Sequence, residues 1–344
     1  MTIPIMDIYI WFAAAVAISF GLTPLVRFFA LRYKIVDVPT GERKIHTEPI
    51  PLLGGVAVYI SFAAVTLAAC FTGHIIGAIT WSMIIGVLVA GGVLVIGGAI
   101  DDAKNLPAKI QILFPLAAAL IVVLCGVNVS KLTNPLGGML LLAAPLAGLV
   151  VFPYVMATSY ATKLFDGLDG LVSGVTAIGA ILICSLALTT KYFQPDVAVL
   201  AAIAAGAFVG FLPWNFHPAK IFLGEGGSLF AGFILGVLSV ISGAKIAVVL
   251  MVLGIAITDA IWVIVRRVFW EKRSFASGDR KHLHFRLIDA GFSQRQAVLI
   301  LWFISAAFGA IALLLQSAGK VVIFAILAII TFAIGWAAII KRKK

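Results

Sequence analysis

Blocks of about twenty apolar residues recur along the chain, each bounded by charges and turn residues. A block of that length matches the ~30 Å hydrocarbon core of a bilayer when it is helical. The pattern predicts eleven spans near 8–30, 51–72, 79–100, 108–126, 141–160, 171–190, 197–213, 228–243, 246–268, 297–316 and 321–340. The first block, from Met6 to about Ala30, lacks a basic N-terminal region and a small-residue cleavage site, so it reads as a span rather than a signal peptide.

Composition agrees with this reading. Hydrophobic residues make up 62% of the chain and charged residues 11%, against roughly 45–50% apolar in an ordinary soluble domain. The 344 residues are taken up by spans and short loops. The expected fold is all-α, a polytopic membrane helix bundle of about eleven transmembrane helices forming one integral-membrane domain over 1–344. Cys70, Cys125 and Cys184 lie in apolar runs without metal or disulfide spacing and read as packing residues.

Charge then sets the orientation. Of 25 Lys and Arg, 21 fall on one set of loops and ends, and the other set holds only Lys131, Lys191, Lys245 and Lys320. The positive-inside rule makes the richer side cytoplasmic, with the N-terminus outside and the C-terminus inside. The acids follow the same side: of fourteen, only Asp7 and Asp196 fall outside. Acids contribute little to topology, so this asymmetry needs a chemical reason.

Five segments at the inner ends of spans hold the unusual polar residues: ERKIHTEPIPLLGG (42–55), GGAIDDAKNLPAK (97–109), TKLFDGLDGL (162–171), NFHPAKIFLGEGGS (215–228) and FASGDRKHLHFRL (275–287). Asp166 and Asp169, at i and i+3, are expected on one face of a helical turn, close enough to repel unless a cation lies beside them. Asp101 and Asp102 are adjacent and would diverge on a regular helix. Acidic pairs of this kind suit Mg²⁺, which takes oxygen ligands from one or two carboxylates, water and phosphates. Singly, Asp-Gly and Asp-Asp are ordinary cap and turn residues. Together, Asp101, Asp102, Asp166, Asp169 and Glu225 on one side of a membrane protein point to function.

Arg280, Lys281, His282, His284 and Arg286 crowd seven residues of the longest cytoplasmic loop, a density of donors suited to a nucleotide diphosphate. Asp259, inside the ninth span, is expected to pair with a cation or polar group of the bundle. The Gly-Gly pairs at 54–55, 91–92 and 97–98 read as close helix packing rather than phosphate loops.

In order and on the expected side, these segments resemble the polyprenyl-phosphate N-acetylhexosamine-1-phosphate transferases, the superfamily of MraY, WecA and TagO. The resemblance runs from about Arg43 to Gly291. It rests on Arg43, Lys44, His46, Pro49, Pro51, Gly54 and Gly55; on Asp101 and Asp102; and on the Asp166 to Leu171 motif. It continues through Asn215, Pro218, Ala219, Lys220, Phe222, Gly224, Glu225, Gly227 and Ser228 to His282 and His284, whose spacing is closer to the WecA and TagO branch. Lys163 stands where the family usually has Asn, Glu225 where it has Asp, and Phe285 where it has a third His.

The resemblance implies transfer of a sugar-1-phosphate, GlcNAc-1-phosphate first among the candidates, from a UDP-N-acetylhexosamine to undecaprenyl or another polyprenyl phosphate, releasing UMP. It implies a multi-pass protein of the cytoplasmic (inner) membrane with its site on the cytoplasmic face, in contact with the lipid bilayer and with no nucleic-acid partner; a homodimer is left open. Asp102, Glu225 and Asp169 are the implied ligands of Mg²⁺, with Mn²⁺ as substitute, and Asp101, Asp102, Asp166 and Asp169 the implied catalytic acids, each expected to lose orders of magnitude in turnover as Asn. Lys44, His46, Lys104, Lys109, Asn215, His282, His284 and Arg286 are the implied substrate-binding residues. An MraY-like phospho-MurNAc-pentapeptide transferase, a transporter and an inactive scaffold are the competing readings.

Overall fold

The computed structural model describes residues 5–39, 46, 48–75, 77, 79–129, 131–133, 138–190, 192–243, 245–270, 282–315 and 317–342. Two long helices, α1 (Ile5–Arg32) and α2 (Gly54–Phe71), are joined through a two-stranded antiparallel pairing of Val36–Asp37 with Ile50–Pro51. Next come α3 (Trp81–Lys104), the short α4 (Ala108–Gln111) and α5 (Leu113–Leu124), then a hairpin pairing Lys131–Thr133 with Met139–Leu141. The remaining helices are α6 (Ala144–Phe165), α7 (Leu171–Ala187), α8 (Pro195–Asn215), α9 (Gly224–Ile241), α10 (Ile246–Val252), α11 (Gly254–Val265), α12 (Leu283–Asp289), α13 (Gln294–Leu314) and α14 (Ser317–Arg342).

This is an all-α polytopic membrane protein. Each of the eleven expected spans meets helix, but not all on the same terms. Among the described residues seven helices are long and apolar enough to cross a bilayer, and an eighth is formed if α10 and α11, bent by 68°, are one broken span. The other three blocks are shorter apolar helices at Ala108–Leu124, Leu171–Ala187 and Ala318–Ala333. The apolar runs extend through loop and cap residues at their ends, which hydropathy counts as span and backbone hydrogen bonding does not.

At the centre stands α9, in contact with α2, α3, α6, α7, α8 and α10. Together with α8 it is buried along almost its whole length. The outward faces remain apolar, as at Phe20, Phe28, Phe29, Leu120 and Phe303. Lipid tails are as apolar as these side chains, so close contact rather than water exclusion has to hold the helices together. Small residues permit that contact. Gly55 of α2 lies against Gly227, and Gly98 of α3 against the backbone of Gly226, at points where a Cβ would overlap the facing chain. Gly91 and Gly92 likewise leave room for Phe230 and Tyr59, so all three Gly-Gly pairs are packing devices. The three cysteines are free.

Polar groups finish the helix ends. Thr80 caps α3 through Met83 N–H at 3.3 Å, and Ser293 and Gln296 form a reciprocal capping box at the start of α13. Because α3 continues to Lys104 and α9 starts at Gly224, Asp102 lies in a last turn and Glu225 in a first turn rather than in loops beyond the spans.

Candidate active site

The C-terminal ends of α1, α3, α6 and α8 and the N-terminal ends of α2, α7 and α9 meet at one end of the bundle around a cavity of about 990 Å³. Asp101, Asp102, Asp166, Asp169 and Glu225 all line it, so acids up to 124 positions apart in the sequence share one basin. His46 and Asn215 line it as well.

Each acid is held differently. Asp101 turns away from its neighbour: its Oδ1 accepts Leu106 N–H at 2.7 Å and Gln111 Nε2–H at 3.1 Å, closing the turn from α3 into α4. Asp102 points the other way, and both its oxygens accept Glu225 N–H, at 3.1 and 3.2 Å. The expected divergence of the pair is present. The N–H it satisfies belongs to the first turn of α9, where helical donors have no partner within the helix and a negative charge is favoured.

Asp166 and Asp169 do not share a helical turn, as the i, i+3 spacing suggested. Helix α6 ends at Phe165, α7 starts at Leu171, and both acids lie in the connection. Gly170, at φ 80°, makes that connection possible by entering a region in which other residues are strained. Asp169 Oδ2 accepts Ala219 N–H at 3.1 Å and lies 2.8 Å from His217 Nδ1, which ties the turn to the segment after α8. Asp166 is exposed toward the cavity. Removal of part of its water by the surrounding protein, with the charges of Glu225, Asp102 and Asp169, holds its carboxyl above the ordinary carboxylate range.

Positive charge comes from residues that the motif spacing did not single out as binding groups. Lys163 forms an ion pair with Glu225. Arg27 and Lys220 line the cavity, joined by Arg27 Nε–H donating to Lys220 O at 3.0 Å, and Lys220 Nζ lies 5.2 Å from the centre of the Trp214 ring. Lys163 and Lys220 stood inside quoted motifs; Arg27 carried only a topology signal.

Several expected binding residues lie elsewhere. Lys104 and Lys109 are exposed on either side of the α3–α4 turn and do not line the cavity. His282, His284 and Arg286 are buried behind it. His282 Nδ1 lies 2.8 Å from Asp259 Oδ2, and Leu283 N–H donates to Asp259 Oδ1 at 2.9 Å, so Asp259 has the polar partners expected of it. His284 stacks on His282 at 5.6 Å and packs edge-on to Phe165, beside Gly167. Spacing on a loop does not say which way its side chains turn; here packing took them inward. Asn215 does line the cavity, but its side chain is also tied into the scaffold: it accepts Ser173 Oγ–H at 2.7 Å and donates to Ile221 O at 3.1 Å. Lys44, with Arg43, lies outside the described residues, as do Arg280 and Lys281.

The donor set can be tested against a metal. Among the described residues no three acidic, His or Cys side chains converge as a closed cage. The available donors are the carboxylate oxygens of Asp102, Asp166, Asp169 and Glu225, gathered around one cavity. Such a set fits a hard divalent cation that takes one or two carboxylates from protein and completes its shell with water and phosphate.

Comparison with known proteins agrees with the motif pattern. Residues 83–243 match the model of the glycosyl transferase family 4. The chain is 32% identical over 310 residues to the "Probable undecaprenyl-phosphate N-acetylglucosaminyl 1-phosphate transferase" of Bacillus subtilis (strain 168), covering 86% of this chain and 82% of that protein. It is 34% identical over 337 residues to the decaprenyl-phosphate N-acetylglucosaminephosphotransferase of Mycolicibacterium smegmatis, covering 90% and 82%. A phospho-N-acetylmuramoyl-pentapeptide-transferase of Synechococcus sp. (strain RCC307) is 35% identical over 252 residues, covering 66% and 68%. With its acidic motifs gathered in one cavity and these relatives matched over most of their length, the chain belongs to glycosyl transferase family 4, the membrane glycosyl-1-phosphate transferases.

Proposed function

We propose that this protein transfers GlcNAc-1-phosphate from UDP-GlcNAc to undecaprenyl phosphate or a similar polyprenyl phosphate, releasing UMP, on the cytoplasmic face of the membrane. The observation that carries the reading is the cavity at one end of the bundle, lined by five motif acids beside Lys163, Lys220 and Arg27. A nucleotide sugar arrives from water and a lipid phosphate from the bilayer, so a site at a span end is where both can reach. A transporter that couples ions through its acids would bind near the bilayer midplane instead.

The physical obstacle is the approach of two anions. A pair of unit charges at 4 Å repels by about 1 kcal/mol in water and about 4 kcal/mol at an effective dielectric of 20. Asp102 and Glu225 are the two carboxylates that would hold Mg²⁺, with water and phosphate completing its shell, while Asp169, tied to His217 and Ala219, fixes the turn beside them. When bound, that ion supplies charge neutralisation on the diphosphate and polarises the phosphorus under attack. Asp166, the acid whose carboxyl opens onto the cavity without a hydrogen bond among the described residues, orients the acceptor phosphate or takes its proton. Lys220 and Arg27 offer donors to the departing nucleotide phosphate. Asp101 and Asn215 keep the α3–α4 turn and the segment after α8 in position, and His282 and His284 support the 166–170 turn from behind.

The test is UMP release by the purified protein with undecaprenyl phosphate, offered UDP-GlcNAc, UDP-GalNAc or UDP-MurNAc-pentapeptide, with and without EDTA. Metal-dependent release with UDP-GlcNAc is expected. Release only with the muramoyl peptide would move the protein to the other branch, and silence with every donor would overturn the reading.

A further inference from the structure

Lys163 lies in the last turn of α6 and reaches across to the first turn of α9, where its ammonium pairs with Glu225. It is held in that position from two sides. Its Nζ donates to Gln111 Oε1 at 3.2 Å, and Gln111 is itself anchored by donating to Asp101 Oδ1 and Leu106 O. The Tyr160 ring lies under the ammonium at 5.6 Å. The two paired side chains are only 21% and 19% exposed, so the pair is more than a loose surface contact. Both residues line the cavity.

A divalent cation that takes Glu225 as a ligand therefore meets a carboxylate already neutralised by a lysine. We propose that Lys163 is a resident counter-cation of the site: it occupies Glu225 before metal arrives and competes with the metal for that carboxylate. Once displaced it remains in the cavity as a donor for the substrate diphosphate. The competition follows from charge and position. Two cations cannot share one carboxylate at close range without repelling, and separating a partly buried pair costs the interaction it had. The lysine thus lowers the metal affinity of the free protein and favours metal that arrives with a diphosphate, whose negative charge gives the released ammonium a new partner. The inference rests on the reading of this cavity as a divalent-metal site.

Binding of Mn²⁺ alone to the purified full-length protein, with no nucleotide or lipid phosphate, tests it by the electron paramagnetic resonance signal of the free ion. Lys163→Gln and Lys163→Met should each bind Mn²⁺ more tightly, by roughly fivefold or more, while Lys163→Arg should stay within about twofold of the parent because it keeps the charge. Unchanged or weaker affinity in both charge-removing variants would overturn the proposal. A second measurement needs no variant. Acetylation of Lys163 by acetic anhydride, read by peptide mass spectrometry, should increase when saturating Mg²⁺ frees the amine, and equal or lower labelling would also count against it. A parent that binds no Mn²⁺ defeats this inference, whereas the transferase reading stands or falls separately on UMP release.

Discussion

Both carboxylate oxygens of Asp102 accept the backbone N–H of Glu225, at 3.1 and 3.2 Å, joining the last turn of α3 to the first turn of α9. The contact brings two acids together by using one of them as an external cap for the helix that carries the other. Gly224, at φ 77°, sets the backbone so that this N–H faces α3. The repulsion that follows is offset by the ion pair of Lys163 with Glu225.

Asp102→Asn removes the charge while leaving one oxygen able to accept the same N–H. With Asp101 and Glu225 crowded beside it, loss of the charge should leave the melting temperature unchanged or slightly raised, whereas turnover should fall by roughly hundredfold or more through the lost metal and phosphate electrostatics. Thermal unfolding in detergent and UMP release separate the two effects. Turnover within a few-fold of the parent would take Asp102 out of the proposed chemistry.

Asp166 and Asp101 should part company as Asn variants. Asp101 Oδ1 only accepts hydrogen bonds, from Leu106 and Gln111, and an Asn oxygen can accept both. Asp166 has its carboxyl free toward the cavity, so its amide keeps the fold and loses the base, at a cost of roughly 10²–10⁴ in rate. Where the sequence pattern leads to orders of magnitude lost at each acid, the hydrogen bonds lead to a ranking: Asp166→Asn severe, Asp101→Asn mild. Purified variants with matched melting temperatures, compared by kcat, would show it; equal losses would return Asp101 to the chemistry.

The spans were legible because a bilayer demands long apolar runs, and the acids because a carboxylate in such a chain is costly and conspicuous. What spacing did not reveal is direction. Asp166 and Asp169 look like one helical face until Gly170 breaks the turn between helices, and the bend between Val252 and Gly254 leaves no mark in hydropathy. Nor does an isolated segment disclose its partner. The pairs Lys163–Glu225 and His282–Asp259 are made across helices, so their members read from sequence as separate charges.

His284 makes stability depend on acidity in a known direction. Burial, with His282 beside it and only partial compensation from Asp259, brings its imidazole down from 6.5 to about 3. Between those values the unfolded chain binds a proton that the folded protein refuses. Its contribution is therefore complete above pH 6.5 and is lost as the pH falls toward 3. At pH 5 the loss amounts to about 2 kcal/mol. His284→Leu should reduce the drop in melting temperature between pH 7.5 and pH 5, and parallel drops in parent and variant would mean that His284 takes up its proton without penalty.

Gly98 tests whether the meeting of α3 and α9 sets the site. An added Cβ there would overlap the backbone N and Cα of Gly226, and neither is the movable end of a side chain, so the two helices must separate. Overpacking of this kind costs about 1–3 kcal/mol. The displacement falls one turn from Asp102 and one residue from Glu225, so Gly98→Ala should also weaken Mn²⁺ binding and lower kcat, although no acid has been touched. Gly21→Ala in α1 is the matched control: nothing lies within 4 Å of its added methyl, and Ala is the better helix former by about 1 kcal/mol. A stable, active Gly21→Ala beside a weakened Gly98→Ala would locate the site's precision in the α3–α9 contact. If Gly98→Ala instead kept full metal affinity, the carboxylates would have to adjust to the helix shift, and the cap from Asp102 to Glu225 would be a consequence of packing rather than a determinant of the site.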